Sequence, residues 1–189
     1  QKTFHFKESM KIDKPISFYA ASKISMENIA YYYSDLYKMP VRVLRFFTVY
    51  GPWGRPDMAY YKFTKSIINN KKIDVYNNGN HFRDFTYITD IVKFVSQIIK
   101  KDNKTIFEIL NLGRGSPQKL KKFISIIENK LKKKAIKNYL SMQDGDMLGT
   151  SANMNKFQKK YNLKAKVNLD LGISKFVDWY LEYFKIKNK

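Results

Sequence analysis

Tyr19 and Lys23 stand four positions apart in the stretch YAASK. On an α-helix that spacing sets both side chains one turn apart on the same side, so a phenol and an ammonium can lean into one cleft. The chemistry open to such a pair is proton transfer. A tyrosine titrates at about 10, and a neighbouring ammonium favours its ionised form; a fall of roughly three units toward neutrality corresponds to ~4 kcal/mol of differential stabilisation. The spacing permits that use without requiring it, because a Tyr and a Lys that only share an exposed helix face give the same pattern. A second stretch, RFFTVYGPWGRPDM at 45–58, holds two Gly and two Pro within residues 48–57. That is long for a simple connection and marks a candidate functional loop.

The elements that would position these residues follow from apolar periodicity. Residues 17–38 read as a helix with Ser17 as N-cap and Pro40 just past its end, and VRVLRFF at 41–47 reads as a buried strand. Helices follow at 58–70 and 90–101, with two short strands about an NNG turn in IDVYNNGNHFRDFTYI between them. IFEILNLG at 106–113 is a strand, and Ser116 with Pro117 reads as the opening of a helix that runs to about 133. A strand near 135–141, the loop MQDGDMLGTSAN, and helices at 152–161 and 169–185 complete the chain. Alternating strands and helices predict an α/β protein with mainly parallel pairing. The first 16 residues look irregular, as though strands that belong before the first helix were cut away. A dinucleotide-binding fold needs a glycine fingerprint after its first strand, and none is present; GRGSP at 113–117 lacks the third glycine and reads as a helix-opening turn.

Composition narrows the class. With 189 residues, 44% apolar and 16% aromatic, the chain can bury a core as one domain or one domain with a small lobe. It has no cysteine and only two histidines, His5 and His81, which argues against a disulfide framework and a zinc centre. No run approaches the ~18 to 20 apolar residues of a membrane span, and no signal-peptide core is visible, so no membrane partner and a cytoplasmic location are expected. The formal charge of +20 comes from 36 Lys+Arg against 16 Asp+Glu, but only five of the cations are Arg. Lysines scattered along the whole chain suit a solvated surface, whereas base and phosphate recognition favours arginine forks; no nucleic-acid partner is expected.

Taken in order, YAASK, RFFTVYGPWGRPDMA, NNGNHFRDFTYITDIV, NLGRGSP, MQDGD and FVDWYLEYF closely resemble the C-terminal half or more of extended short-chain dehydrogenase/reductases, in particular the UDP-glucuronate 4-epimerase-like nucleotide-sugar epimerases. The resemblance runs from about residue 4 to residue 184. It implies the C-terminal part of an NAD(P)-binding Rossmann-type doubly wound sheet, to which residues 1–50 and 80–115 contribute. Residues 51–79 and 116–189 would form the small nucleotide-sugar-binding lobe. It further implies NAD as cofactor, a UDP-sugar substrate, no metal, and a homodimer for the complete protein. In the family the preceding half carries the glycine-rich NAD loop and a Ser/Thr-rich catalytic strand, so this chain is expected to be a fragment, inactive alone.

The same resemblance assigns roles. Tyr19 would be the catalytic acid/base, and Lys23 would lower its pKa and hold the nicotinamide ribose, with Phe46 also beside the cofactor. Thr48 and Arg55 would meet the sugar and its carboxylate, Tyr76 would flank the uracil, Arg83 would hold the pyrophosphate and Asp146 the ribose hydroxyls. Each has a plain alternative: a loop-fixing pair of Arg55 with Asp57, a bridge from Arg83 to Asp84, turn capping by Asp146, and packing by Tyr76. The chain departs from the family pattern at Thr89, Asp144, Met147, Leu148 and Asn153, near the nucleotide pocket rim and helix caps. The activity that the resemblance implies is NAD-dependent epimerisation at C4 of a UDP-hexuronate, UDP-glucuronate to UDP-galacturonate, through a transient 4-keto intermediate. The alternatives are a 4,6-dehydratase, a decarboxylase, or a non-catalytic nucleotide-sugar-binding remnant.

Overall fold

The computed structural model describes residues 5–101, 105–143 and 146–187, so Asp144 and Gly145 of the MQDGD stretch lie outside the described residues. In chain order the strands and helices are β1 (His5–Phe6), α1 (Phe18–Leu36), β2 (Val41–Phe46), β3 (Thr48–Tyr50), α2 (Ala59–Ile68), β4 (Lys72–Tyr76), β5 (Phe82–Arg83), β6 (Phe85–Tyr87) and α3 (Ile88–Lys100). There follow β7 (Phe107–Leu112), β8 (Gln118–Lys119), α4 (Leu120–Leu131), β9 (Ile136–Leu140), β10 (Ser151–Ala152), α5 (Asn155–Tyr161) and α6 (Leu169–Tyr183).

Helix α1 starts where the sequence places it. The Ser17 hydroxyl accepts from Ala20 N at 3.1 Å, satisfying one of the amides that a helix start leaves unpaired. Its far end is tied to the sheet by the buried Ser34, whose Oγ lies 2.7 Å from Met39 O and 3.1 Å from Ile106 O. Strand β2 pairs in parallel with β7 over its whole length, Val41 opposite Phe107 through Phe46 opposite Leu112. The chain then changes partner at Phe47, and β3 pairs in parallel with β6. Parallel pairing recurs in β4 with β9 and β1 with β10, as the alternating pattern predicts.

Four features differ from the sequence reading. The candidate loop at 48–57 begins as a strand, because Thr48 N donates to Asp84 O at 3.1 Å and Thr-Val-Tyr suits a pleated edge. The NNG turn is present, but the strands beside it do not pair with each other. Asn77, Asn78 and Gly79 all take positive φ, at 48°, 49° and 73°. A two-residue hairpin turn needs only two such residues between directly paired strands; the longer turn swings β5 away to pair antiparallel with β8, while β4 keeps β9. Ser116 and Pro117 do not open the next helix. Gln118 and Lys119 are captured by the β5 edge first, α4 begins at Leu120, and Leu120 N donates to His81 O at 2.9 Å in place of a side-chain cap. Lastly, part of the opening segment is a strand, β1, whose partner β10 comes from residues read as the loop and helix start.

The core is two aromatic-rich clusters. One joins α2, α4 and α6 over β4 and β6, with Phe85 stacked on Phe123 at 4.6 Å and Tyr60 edge-on to Phe176 at 4.8 Å. The other packs α3 and α5 on β7 through Phe94, Phe157 and Leu110. Among the described residues, Phe and Tyr supply nine of the nineteen buried residues of the first cluster and three of the nine of the second, where aliphatic residues and Met154 make up the rest.

Candidate active site

Helix α1 carries Tyr19 and Lys23 on one face, as the spacing predicts. Tyr19 is 71% exposed, and the Lys23 ammonium sits 5.0 Å from the centre of its ring, within reach of Met26 Sδ at 4.0 Å. One turn beyond Lys23, Glu27 takes a two-point grip from Arg45 of β2: Nε to Oε1 at 2.7 Å and NH2 to Oε2 at 2.6 Å. A planar guanidinium matched to a carboxylate fixes orientation as well as distance, so β2 sets where the Tyr19 face points. Phe46, the last residue of β2, is half exposed. The carboxyl ends of parallel strands are where open α/β sheets bind ligands.

The second cluster forms around β5. Arg83 NH2 donates to Asp146 Oδ1 at 2.7 Å, and Arg83 NH1 donates to Met147 O at 2.8 Å. The structure thus joins two residues that the sequence nominated separately, and it rejects the bridge to Asp84. Adjacent residues of a strand point to opposite faces. Asp84 turns inward, where it is fully buried and accepts from three backbone amides: Arg114 N at 3.1 Å, Gly115 N at 2.9 Å and Ala152 N at 2.8 Å. Beside the Arg83–Asp146 pair lies His81, 4% exposed, its Nε2 3.5 Å from Asp146 Oδ2 and without a hydrogen-bond partner among the described residues. Burial, and then the charge of Arg83, hold this imidazole below its usual pKa against the opposing pull of Asp146.

The remaining candidates are less converged. Thr48 is half-buried and tied through its backbone to Asp84, the neighbour of Arg83. Tyr76 ends β4 opposite Leu140, on the strand that leads into the segment holding Asp146. Arg55 is exposed and engages Asp57 through two bonds, at 3.1 and 2.8 Å, the loop-fixing arrangement. In the same loop Trp53 has φ of 61° and packs 5.3 Å from Trp179 of α6. A groove of about 570 Å³ lies elsewhere, lined by Lys7, Glu8, Glu108, Asn153 and Lys156 among others, and holds none of the candidate residues. It is open and fenced by edge-capping bonds, Asn111 N to Glu8 Oε1 and Lys156 Nζ to Ile109 O, so the chemistry of the candidate residues outweighs its size. His81, Asp84 and the Arg45–Glu27 grip were missed by sequence reasoning. The available signal for His81 was its position two residues before Arg83, which in extended chain sets both on one side.

Residues 2–113 match the NAD dependent epimerase/dehydratase family. The chain belongs to that family. Protein CapI of Staphylococcus aureus is 48% identical over 196 residues, covering 95% of this chain and 59% of that protein. UDP-glucuronate 4-epimerase 4 of Arabidopsis thaliana is 42% identical over 194 residues, covering 95% of this chain and 44% of that protein. The chain therefore spans about half the length of these relatives. Among solved structures it is similar to UDP-glucuronic acid 4-epimerase from Bacillus cereus in complex with UDP-glucuronic acid and NAD, with a TM-score of 0.90, 29% identity, and coverage of 97% of this chain and 58% of that one. The fold is the Rossmann-type α/β fold of extended epimerases of this NAD-dependent family. For a member of it, the exposed Tyr19 and the Lys23 ammonium beside its ring offer hydrogen-bond donors of the kind a nicotinamide ribose takes, and Phe46 at the end of β2 is half exposed. Among the described residues no group of three or more His, Cys, Asp or Glu could hold a metal, and no helix is long and apolar enough to cross a membrane.

Proposed function

We propose that this chain supplies the proton-transfer pair and the nucleotide-sugar site of an NAD-dependent UDP-sugar 4-epimerase, interconverting UDP-glucuronate and UDP-galacturonate. The observation that carries the reading is Tyr19 and Lys23 together on an exposed face of α1, locked to the end of β2 by Arg45 and Glu27. NAD supplies a hydride acceptor and donor at the sugar C4. Tyr19 Oη takes the proton of the C4 hydroxyl as the carbonyl forms and returns it after the keto sugar has turned over. Lys23 stabilises the tyrosinate by its charge and holds the ribose beside Phe46. Arg83 and Asp146 hold the pyrophosphate and the uridine ribose, Tyr76 flanks the base, and Thr48 and Arg55 orient the sugar and its carboxylate.

The relatives' names favour epimerisation, while the family description spans dehydratases too. A dehydratase or decarboxylase shares the oxidation and then diverts the ketone, so product analysis separates them. The division into a Rossmann-like part, about residues 1–50 and 80–115, and a sugar-binding part, about residues 51–79 and 116–189, is part of this reading; the core clusters cross it, since Tyr50, Phe85 and Tyr87 of the former pack with α2, α4 and α6, and α5 packs with α3 and β7. The activity is that of the full-length protein, in which Tyr19→Phe is expected to lower kcat at least tenfold, a barrier increase of about 1.4 kcal/mol or more. Affinity for the UDP-sugar should stay near its wild-type value, because the ring and its packing remain. A variant that keeps more than a tenth of wild-type kcat overturns the assignment.

A further inference from the structure

We propose that His81 is a third member of the nucleotide site, and that binding of a nucleoside diphosphate-sugar is coupled to uptake of a proton by its imidazole. The inference rests on the site proposed above. The proposed binding groups bond to one another. Arg83 uses NH1 on the carbonyls of Phe82 and Met147, at 3.0 and 2.8 Å, and NH2 on Asp146 Oδ1. Asp146 Oδ1 also accepts from Met147 N at 2.8 Å. Oδ2 faces His81 Nε2 at 3.5 Å, and that nitrogen is buried without a hydrogen-bond partner among the described residues. A buried nitrogen in that position is an unused donor if protonated and an unfavourable lone pair beside a carboxylate if not.

A pyrophosphate that engages Arg83 changes this balance. It competes for NH2, the one arm of the fork held by a carboxylate, and it screens the positive charge that opposes protonation of His81. Asp146 then loses its strongest partner while still buried enough to need one, its side chain being 32% exposed. A proton taken from solvent onto Nε2 forms Nε2–H to Oδ2, so that His81 holds Asp146 in place while the carboxylate accepts from ribose hydroxyls. Among the described residues the charged groups facing His81 are Arg83 on its own segment and Asp146 on the segment before β10. From the α4 side the nearby cations are Lys119, whose ammonium lies 5.8 Å over the Phe82 ring, and Lys121, whose stem lies against Gly79. The buried imidazole is the group poised to answer a change in the charge of that pair.

The probe is UDP-glucose, whose pyrophosphate diester does not titrate near neutrality, bound to the full-length protein. Calorimetry in two buffers of different ionisation enthalpy is expected to show net proton uptake at about pH 7, with affinity weakening by up to ~tenfold per unit as pH rises from there. His81→Gln, which keeps a polar side chain that cannot titrate, should abolish both effects. Binding with equal heats in the two buffers between about pH 6 and 8 overturns the proposal, as does unchanged uptake in His81→Gln. Should that variant not fold, the His81 imidazole resonance of the wild type must titrate at a higher pH with UDP-glucose than without; an unmoved midpoint overturns the coupling. No binding of UDP-glucose to the wild type at all would instead remove the nucleotide site itself, and this inference with it.

Discussion

Replacing Asp84 by Asn tests how the strand that carries Arg83 is held in place. The carboxylate has no exposure and serves three backbone amides from two distant segments, the turn after β7 and strand β10. An asparagine of the same shape can keep its oxygen at the Oδ2 position, where it still accepts from Gly115 N and Ala152 N. Its NH2 then occupies the Oδ1 position and meets the Arg114 N–H donor to donor, at the 3.1 Å now spanned by a bond. Leaving that buried amide unpaired costs ~1–3 kcal/mol, and the two surviving bonds lose charge assistance at roughly 0.5–1.5 kcal/mol each. Relief from burying a charge offsets part of this, leaving a net loss of about 2–4 kcal/mol. At ~2–4 °C per kcal/mol for a domain of this size, Tm should fall by about 4–16 °C. Urea unfolding and thermal melts of the full-length protein read the effect, and UDP-glucose affinity should weaken in parallel because Arg83 adjoins the loosened position. A loss below about 0.5 kcal/mol, the range of an ordinary surface change, would show that the three amides do not depend on the carboxylate.

Arg55→Ala should weaken UDP-glucuronate by roughly tenfold or more while changing UDP-glucose little, since only the former offers a carboxylate for a charge-assisted bond; equal losses in competition binding would leave Arg55 as the loop-fixing partner of Asp57. Glu128 gives a pH prediction. Burial alone would push this carboxyl up, but bonds from Lys137 Nζ at 2.7 Å and Ala135 N at 2.9 Å hold it below its usual value. A depressed folded pKa stabilises the protein above the unfolded value of ~4.3, and that contribution fades as pH falls through the folded value. Glu128→Gln should therefore flatten the acid limb of stability against pH, measured by urea midpoints from about pH 5 downward; an unchanged limb would refute the assignment.

What the sequence disclosed tracks how local each cause is. Ser17 caps α1, and β2 and β7 lie where their apolar runs place them, because capping and local patterns act within a few residues; β2, read as a buried strand, is only half-buried. The strands β1, β5, β8 and β10 have two residues each. Segments so short have no periodicity of their own and exist only because a distant chain accepts their bonds, which is why Ser116 and Pro117 could look like a helix start. The candidate residues divide in the same way. Tyr19 and Lys23 share a helix, so their proximity was readable, whereas the bridge from Arg83 to its neighbour Asp84 looked equally local and is replaced in the fold by Asp84's bonds to Arg114 N, Gly115 N and Ala152 N. The meeting of Arg83 with Asp146, 63 positions apart, was open only to the folded chain. The two arginine pairs also differ in what they ask of a ligand. Arg55 and Asp57 meet in solvent, where screening leaves an ion pair little net strength, so the pair would offer little resistance to a sugar carboxylate in the role proposed for Arg55. Arg83 and Asp146 are partly buried, at 22% and 32% side-chain exposure, and separating them strands a carboxylate in a poorly hydrated place. If a nucleotide takes Arg83 as proposed, Asp146 keeps the bond from Met147 N on Oδ1, and His81 Nε2 stands 3.5 Å from its Oδ2.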